Sequence, residues 1–539
     1  MRTERRARII VLILAVLFTA MQLAGWQISM RYGTSVHQNA LFQSIGMLSG
    51  PWLVLAAVFE TAFWYAVIDF SFYFLGRRKK RVTAKAGECG RKIWLITGVM
   101  LFGCLFFGLL GCWPGIYSYD AQGQLAQAMY PEAAYTMHHP LLHTLFMGKI
   151  ITFGYRISGE NLAVGIWMHS MVQMLICTVI FTYAVYFIWD ITKKKWVTAL
   201  AFLYYAFFPT VVLFTFCTTK DVLCSAFLHL MVMLTYDMYR DRGLFFLRKG
   251  KVFLLIFSGV LMCLFRNNGI YAVALMAVFA GLLFRENWRA VCFVLLPIAI
   301  LSFLSNKGLQ TVLQARKPSM VEAVSVPIQQ LARVYCDEGE EGFTQEELEL
   351  LYQAVPVDRL LSYDPTIADS VKNFVSFDDV VAEQKGAYIK LWIGTGLRHP
   401  GKYIASFLDN TYQAWYPGTS IMRYPESGKY DYLEIKGFDT VIKEPKLPWL
   451  YDFYDRIARK YYYQKIPGVR LLFSIGAMFW IVLFTWFYGI WRKDKGIMAA
   501  LLLILCFCAT CFLGPTVLVR YYLNLFYIFP VCIALLFGK

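Results

Sequence analysis

Residues 162–195 read LAVGIWMHSMVQMLICTVIFTYAVYFIWDITKKK, and this stretch decides the class of fold. The part from 162 to 188 is predominantly apolar and is longer than the ~20 residues that a helix needs to cross the hydrocarbon core of a membrane. Three lysines follow at 193–195, which is typical of the cytoplasmic end of a membrane helix. The stretch therefore predicts a membrane-spanning helix.

The same pattern recurs along the chain and predicts an all-α polytopic membrane protein. Hydrophobic residues make up 58% of the 539 residues, charged residues only 16%, and the mean hydropathy is +0.51. An average soluble protein is about one quarter charged. About twelve transmembrane helices are predicted, near 8–29, 50–75, 92–112, 162–188, 195–215, 221–238, 251–266, 269–284, 288–305, 468–490, 497–514 and 518–537. The short pair within 251–284 is also compatible with a re-entrant hairpin.

The basic residues predict the orientation of these helices. Lysine and arginine concentrate in cytoplasmic connections, and every second connection of this chain is basic. The basic segments are the N-terminal MRTERRAR and the stretches 76–92, 192–195, 239–251, 285–289 and 491–495. Both termini are therefore predicted to be cytoplasmic. Because the net charge of +17 is divided among these short runs, nucleic acid is not an expected partner.

The chain divides into three predicted parts. Residues 1–305 form an N-terminal transmembrane module that includes a first outer loop at 113–161. Residues 306–466 form an extracytoplasmic domain, which holds 22 of the 35 acidic residues. Residues 467–539 form the C-terminal transmembrane helices.

Local patterns predict that the extracytoplasmic domain is small and mainly helical. The sequence TQEE at 344–347 is typical of a capping box, with Thr344 as N-cap and Glu347 three residues later. Two further helical patterns run over about 379–397, ending before Pro400, and about 401–414, ending before Pro417.

The first outer loop carries the most informative polar residues. Asp120 directly precedes a predicted short helix at 121–129, and a second helix begins near Pro140. Their composition is amphipathic, so we expect both to lie along the membrane surface. Asp120 has two interpretations: it is a helix N-cap, or it is a general base or metal ligand at the bilayer surface.

Two histidines, His138 and His139, precede Pro140. Adjacent side chains in an extended segment before a proline point in different directions, so at most one of them is expected to face a site. That imidazole could bind substrate, coordinate a metal or simply pack.

The other outer turns carry cations. The second loop contains Lys220 and Asp221, the third contains Arg266, and the last turn contains Arg520. Each has a plain alternative: Lys220 extends to the head groups, Asp221 caps a helix, Arg266 belongs to a turn, and Arg520 anchors its helix at the interface.

Taken together, these charges predict a site for an anionic lipid. Three cations near one carboxylate would stabilise the charge that develops on a phosphate leaving group. The carboxylate would take a proton from an attacking hydroxyl. The sequence contains no GxxxxGK[ST], HExxH or GxSxG motif, which disfavours ATP coupling, zinc proteolysis and serine hydrolysis.

These residues resemble those of the GT-C superfamily of membrane glycosyltransferases, which use sugars carried on a polyprenyl phosphate. The resemblance lies in the polytopic architecture, in an acid early in the first outer loop, here Asp120 in YSYDAQGQ, and in a His-Pro-Leu element at 139–141. The segments that resemble a bacterial family of uncharacterised membrane proteins are TTKD (218–221), RNNG (266–269), VPIQQ (326–330) and RYYL (520–523).

The resemblance implies an inverting glycosyltransferase of the bacterial cell membrane. It would move a sugar from a polyprenyl-phosphate donor to an acceptor hydroxyl of a glycan, lipid or protein on the extracytoplasmic face, for a cell-envelope glycopolymer or glycoconjugate. Asp120 would be the base or a metal ligand. The residues expected to bind the donor phosphate are Lys220, Arg266 and Arg520. The residues expected to orient the substrates are Tyr119, His138, His139 and Asp221.

One departure from the resemblance leaves metal dependence open. Many members carry two adjacent acids in the first loop, whereas Ala121 follows Asp120 here. A second acid would be Asp221 or Glu132. A divalent Mg or Mn ion, held by Asp120 and His139, is therefore an open expectation.

Two other classes of function are compatible with the sequence. One is a secondary transporter or lipid flippase for an anionic lipid-linked substrate, although the two related halves typical of many transporters are not evident. The other is a membrane scaffold whose outer domain binds a partner.

Overall fold

The part of the chain that the computed structural model describes is all-helical, and it comprises residues 2–32, 49–77, 91–117, 120–130, 132–241, 243–317, 320–376, 380–418, 444–458, 460, 462–466 and 468–538. The helices up to residue 312 are α1 (Arg2–Tyr32), α2 (Pro51–Gly76), α3 (Arg91–Gly111), α4 (Ala121–Met129), α5 (Leu141–Ile157), α6 (Leu162–Thr192), α7 (Lys195–Phe207), α8 (Pro209–Thr215), α9 (Asp221–Asp241), α10 (Gly243–Leu247), α11 (Lys249–Phe265), α12 (Gly269–Leu283) and α13 (Trp288–Val312).

The later helices are α14 (Ser325–Glu338), α15 (Gln345–Ala354), α16 (Val357–Leu360), α17 (Asp369–Lys372), α18 (Lys385–Arg398), α19 (Pro400–Trp415), α20 (Pro448–Ala458), α21 (Val469–Leu472), α22 (Ile475–Arg492), α23 (Lys495–Cys511) and α24 (Leu523–Phe537). A 3₁₀ turn, Val519–Tyr522, leads into α24. The all-helical class is confirmed, as is the multi-pass composition of the chain.

Eight helices among the described residues are long and apolar enough to cross a membrane. They are α1, α2, α3, α6, α9, α13, α22 and the turn of 519–522 joined to α24. Helices α7 and α8 form a pair bent by 51°, which would make a ninth span. All twelve predicted segments are helical, but α12 and α23 are shorter apolar helices. The count of twelve stays a prediction.

Helix α9 is the central helix of the described structure. Every residue from Asp221 to Met238 is buried, and the helix packs against α6, α11, α23 and α24. Burial on all sides fits its sequence, which is apolar around its whole circumference for most of its length. The charged residues that it does carry lie at its two ends.

The basic connections gather at the end of the bundle where α9 finishes. Lys495 pairs with Glu286 at 2.5 Å, and Arg240 of α9 pairs with Asp190 of α6 at 2.8 Å. Lys194 lies over the ring of Phe537, with 5.6 Å between its Nζ and the ring centroid. The outer loops named from the sequence therefore meet at the opposite end, where α9 begins.

The segment after α13 has its own hydrophobic core, which runs from Ile328 to Tyr403. The capping box is confirmed: Thr344 Oγ1 accepts from Glu347 N at 3.3 Å, and Glu347 Oε2 accepts from Thr344 N at 2.9 Å. Helices α18 and α19 end before Pro400 and Pro417, as predicted. The C-terminal end of α19 and helix α20 pack instead into the main core, through residues that include Trp415, Leu450 and Tyr454.

The first outer loop contains the two predicted short helices, α4 and α5, packed together over a small core of Tyr117, Leu125 and Met147. Isolated backbone bridges tie residues 306–466, here called the outer segment after their predicted location, to two loops. Arg316, after α13, pairs with Thr136 of the first outer loop, and Ile367 pairs with Thr516 in the last turn. The outer segment is thereby fixed against the loops that carry the candidate site.

Candidate functional site

The structure brings Asp120 together with two of the cations named from the sequence. One oxygen of its carboxylate, Oδ2, lies 2.9 Å from Lys220 Nζ and 3.3 Å from Arg520 Nη1. Lys220 Nζ is in turn 3.1 Å from His139 Nδ1. The Asp120 side chain is 33% exposed, whereas those of Lys220 and Arg520 are 16% and 9% exposed. The carboxylate therefore lies on the open side of the cations.

Backbone pairing between two outer loops places Lys220 beside Asp120. Ile116, at the start of the first loop, forms a parallel bridge with Cys217. Ile116 N donates to Phe216 O at 3.0 Å, and Thr218 N donates to Ile116 O at 2.9 Å. Because these bonds hold the two loops in register, Asp120 and Lys220 meet although 100 residues separate them.

Asp120 is not a helix cap. It stands at the N-cap position of α4, but its side chain makes no hydrogen bond to the first turn. The N-cap interpretation is therefore wrong, because the carboxylate is turned toward Lys220 and Arg520.

A second ion pair lies next to the first. Asp221 is fully buried and pairs with Arg266 Nη1, and it accepts a hydrogen bond from Thr219 Oγ1 at 2.8 Å. Arg520 Nε is 3.9 Å from Asp221 Oδ2, so Arg520 joins the two pairs. Asp221 is the first residue of α9, and its carboxylate holds Arg266.

The ring of Tyr521 lies close to both arginines. Its centroid is 4.4 Å from the guanidinium carbon of Arg266 and 5.2 Å from that of Arg520. A cation over an aromatic face is attracted by the ring, more so where water is excluded. Tyr521 thus helps to hold two positive groups close together.

We call this group the ion cluster. Its members are Asp120, His139, Lys220, Asp221, Arg266 and Arg520. It contains three cations and two carboxylates, so it carries a formal charge of +1 with a neutral histidine. Because the three cations are mostly buried, the cluster is suited to bind a further anion.

The charges perturb the titration of the two groups in the outer loop. Burial alone would raise the pKa of the Asp120 carboxyl, but Lys220 and Arg520 outweigh it and hold that pKa well below its usual range. Burial, together with the Lys220 ammonium, lowers the pKa of His139 to about 3. At neutral pH the site therefore contains an ionised carboxylate and a neutral imidazole.

The remaining predicted residues have different environments. His138 is exposed and stacks edge-to-face on His139, so only one of the two histidines reaches the cluster. Tyr119 lies outside the described residues. Beside Arg266, Asn268 Nδ2 donates to Thr510 Oγ1 at 2.8 Å, which anchors the turn between α11 and α12.

The donor set does not favour a divalent metal at this place. Lys220 Nζ contacts both Asp120 Oδ2 and His139 Nδ1, the two ligands expected for a metal, which lie 3.8 Å apart. Nowhere in the described ranges do three or more His, Cys, Asp or Glu side chains approach closely enough to hold a metal ion. A metal here would have to displace the ammonium group.

Sequence reasoning missed two histidines close to the cluster. His143 lies one turn after His139 on α5, and His169 lies on α6; both are fully buried. The spacing of four between His139 and His143 was the only available signal.

A comparison with protein-family models identifies the chain as a member of a family of unknown function, DUF6020, whose model matches residues 124–538. That match covers more than three quarters of the chain and includes His139, Lys220, Arg266 and Arg520, but it begins after Asp120. Neither the curated proteins nor the solved structures gave a match.

Proposed function

We propose that this protein is a membrane glycosyltransferase that moves a sugar from a polyprenyl-phosphate donor to an acceptor hydroxyl on the extracytoplasmic side. The observation that carries the proposal is the shared oxygen of Asp120, which two buried cations from remote segments approach within 2.9 and 3.3 Å. A reaction that releases a phosphate needs both of these components: cations for the leaving group and a carboxylate for the proton.

The cations bind the donor phosphate in this proposal. Lys220 and Arg520 now share one carboxylate oxygen. The phosphodiester of the donor carries one negative charge, as the carboxylate does, and the polyprenyl phosphate that leaves carries about two. The donor phosphate therefore competes with Asp120 for both cations. Arg266 is already held by Asp221, which balances its charge, so the donor phosphate falls to Lys220 and Arg520.

Displacement by the phosphate makes Asp120 a stronger base. In the resting site its pKa is held down by Lys220 and Arg520. Once the phosphate takes those cations, the pKa of the carboxyl rises toward its ordinary value. The base is thus activated only when the donor is bound.

The transfer itself is a single displacement with inversion. The acceptor hydroxyl loses its proton to the Asp120 carboxylate, and its oxygen bonds to the anomeric carbon of the sugar. The bond from that carbon to the phosphate oxygen breaks, and its electron pair leaves with the phosphate. The products are the glycosylated acceptor and a polyprenyl phosphate. His139, neutral and in contact with Lys220, orients the substrates.

The proposed orientation follows from the charges. Basic connections lie at one end of the bundle and the ion cluster lies at the other, so the positive-inside rule would put the cluster and residues 306–466 outside the cell membrane. The termini would then be cytoplasmic. The outer segment, fixed to the first loop at Thr136 and to the last turn at Thr516, would cover the site and select the acceptor.

The test uses the full-length protein in detergent with a radiolabelled polyprenyl-phosphate sugar. Release of polyprenyl phosphate is expected from the wild type. It should fall by a factor of about 10²–10⁴ in Asp120→Asn, which cannot accept the proton.

Thr344→Ala, which removes the cap of α15 far from the cluster, is the matched control and should retain activity. If the wild type cleaves no bond but moves the intact lipid-linked sugar across vesicle membranes, the protein is a flippase and the proposal is overturned.

A further inference from the structure

Two fully buried histidines stand beside the ion cluster and belong to none of its contacts. His143 on α5 and His169 on α6 both have zero exposure. All four of their ring nitrogens are buried without a hydrogen-bond partner. Buried polar groups in native proteins nearly always have a hydrogen-bond partner. Two neighbouring imidazoles without any partner therefore call for a specific explanation.

The pair borders directly on the cluster. His143 follows the cluster residue His139 by four positions, and its ring packs against Phe265, which directly precedes Arg266. Helices α5 and α6 pack against each other, so the pair lies beside the cluster.

Two aromatic rings complete this environment. The centroid of His143 is 6.2 Å from that of Phe265, the residue directly before Arg266. The centroid of His169 is 5.6 Å from that of Phe146, and the two phenylalanine rings are 5.9 Å apart. The two rings thus lie in a largely apolar environment next to the cation Arg266.

We infer that His143 and His169 form a subsite for the uncharged, hydroxyl-bearing part of a ligand whose anionic group is bound by the cluster. A neutral imidazole offers one donor and one acceptor, and a hydroxyl group offers both as well. Two such rings can therefore bind neighbouring hydroxyls and satisfy the four nitrogens at the same time.

Other roles fit these rings less well. Burial, together with His169, Lys220 and His139, holds the pKa of His143 well below its ordinary value, so the ring is a poor carrier of a proton at neutral pH. A neutral ring has no charge with which to bind an anion. The described part of the chain provides no third ligand beside the pair for a metal ion.

The inference rests on the proposed function, because it places the sugar of the lipid-linked donor at the pair and the phosphate at the cations. The subsite and the proposed function are tested separately by comparing two kinds of probe, farnesyl phosphate and a panel of farnesyl-phosphate hexoses. Binding is measured by calorimetry with the detergent-solubilised protein.

The double variant His143→Phe/His169→Phe should bind farnesyl phosphate within twofold of the wild type. Its affinity for the best hexose derivative should fall at least tenfold. Its melting temperature should be equal or higher, because apolar rings replace unpaired polar ones. His143→Gln, which keeps a donor and an acceptor, should lose less affinity than His143→Phe.

Thr152→Val is the matched control, since Thr152 Oγ1 is also buried and unpaired on α5 but lies farther along the helix. It should change neither affinity. Equal losses for both probes, or no loss for the hexose, would overturn the subsite while leaving the phosphate site standing. A wild type that binds neither probe would overturn the proposed function and the subsite with it.

Discussion

Each end of helix α9 carries a group of ion pairs. The two groups have similar composition, but they differ in burial and in the parts of the chain that supply their residues. At the start of α9, the ion cluster contains residues from position 120 to position 520, and the side chains of its cations are 9–16% exposed. At its end lies what we call the basic-end network, whose members are Asp190, Lys193, Asp237, Arg240, Asp241, Arg248 and Lys251. Its cations are 24–56% exposed.

The difference indicates that the two clusters have different roles. The basic-end network joins α6, α9 and α11 within residues 190–251, and only its Asp237 is as buried as Asp221. Its more exposed pairs, such as Arg248 with Asp241, are open to water. Such pairs hold neighbouring helices in place and stabilise them little. The ion cluster places charges from remote segments in a buried setting, where desolvation offsets much of the attraction. An arrangement of that kind is more readily explained by ligand binding than by stability.

The largest effect is expected from removing Arg266, which faces a fully buried carboxylate. Arg266→Gln leaves Asp221 charged and without its closest cation, and loss of one partner of a buried pair costs about 3–5 kcal/mol. Unfolding in detergent with denaturant would measure the loss. Asn267→Ala, at the exposed neighbouring residue, should cost less than about 1 kcal/mol. Equal losses for both variants would contradict the cost assigned to breaking the buried ion pair.

A smaller effect concerns the affinity of the cluster for phosphate. If Asp120 competes with a phosphate for Lys220 and Arg520, then Asp120→Asn should bind inorganic phosphate about tenfold more tightly, equivalent to about 1.4 kcal/mol. Phosphate titration followed by ³¹P NMR would measure it. Lys220→Gln should bind more weakly than the wild type.

Asp190→Asn provides the matched control for this prediction. Asp190 is 29% exposed, close to the 33% of Asp120, and is likewise held by two cations, but it lies in the basic-end network. Its variant should bind phosphate as the wild type does. An increase of the same size in both variants would trace the effect to net charge alone.

Much of the fold could be predicted from the sequence because its signals are local. Residues 121–129 become α4 as predicted, and the capping box at Thr344 forms, since both depend on contacts within one or two turns. The number of spans could not be settled in this way. Helices α11, α12 and α23 have only 15–17 residues, and length and composition do not decide whether such helices cross a membrane.

The sequence predicted which residues belong to the site, but not which of them pair with one another. The outer loops gave Asp120, Lys220, Arg266 and Arg520, because alternating basic connections fixed which loops share an end. Which carboxylate holds which cation depends on packing across 45 to 400 residues. For the same reason little marked His143 beyond its spacing of four from His139, since it otherwise looks like an ordinary residue of an amphipathic helix.

The next effect is a pH dependence that should distinguish His139 from its neighbour. An unfolded histidine titrates near 6.5, whereas the pKa of buried His139 is lowered to about 3. As the pH falls below about 6.5, His139 takes up a proton in the unfolded chain but stays neutral in the folded state. The folded state therefore loses stability.

His139→Gln should remove this loss, which we expect to be roughly 1 kcal/mol between pH 6.5 and 5.5. Melting temperatures of wild type and variant across that range would show the two curves converging as the pH falls. His138→Gln, at the exposed histidine, should keep the pH dependence of the wild type. A wild-type curve without decline would contradict the lowered pKa of His139.

The smallest effect is expected at the basic-end network and is the counterpart of the Arg266 experiment. Arg248 is 56% exposed and pairs with Asp241 at 3.1 Å. Because water screens both charges and Asp241 keeps Arg240 as a partner at 3.2 Å, Arg248→Gln should change the free energy of unfolding by less than about 0.5 kcal/mol. Phosphate affinity should not change. If this exposed pair proved as costly to break as the buried one, burial would not be what separates the two ends of α9.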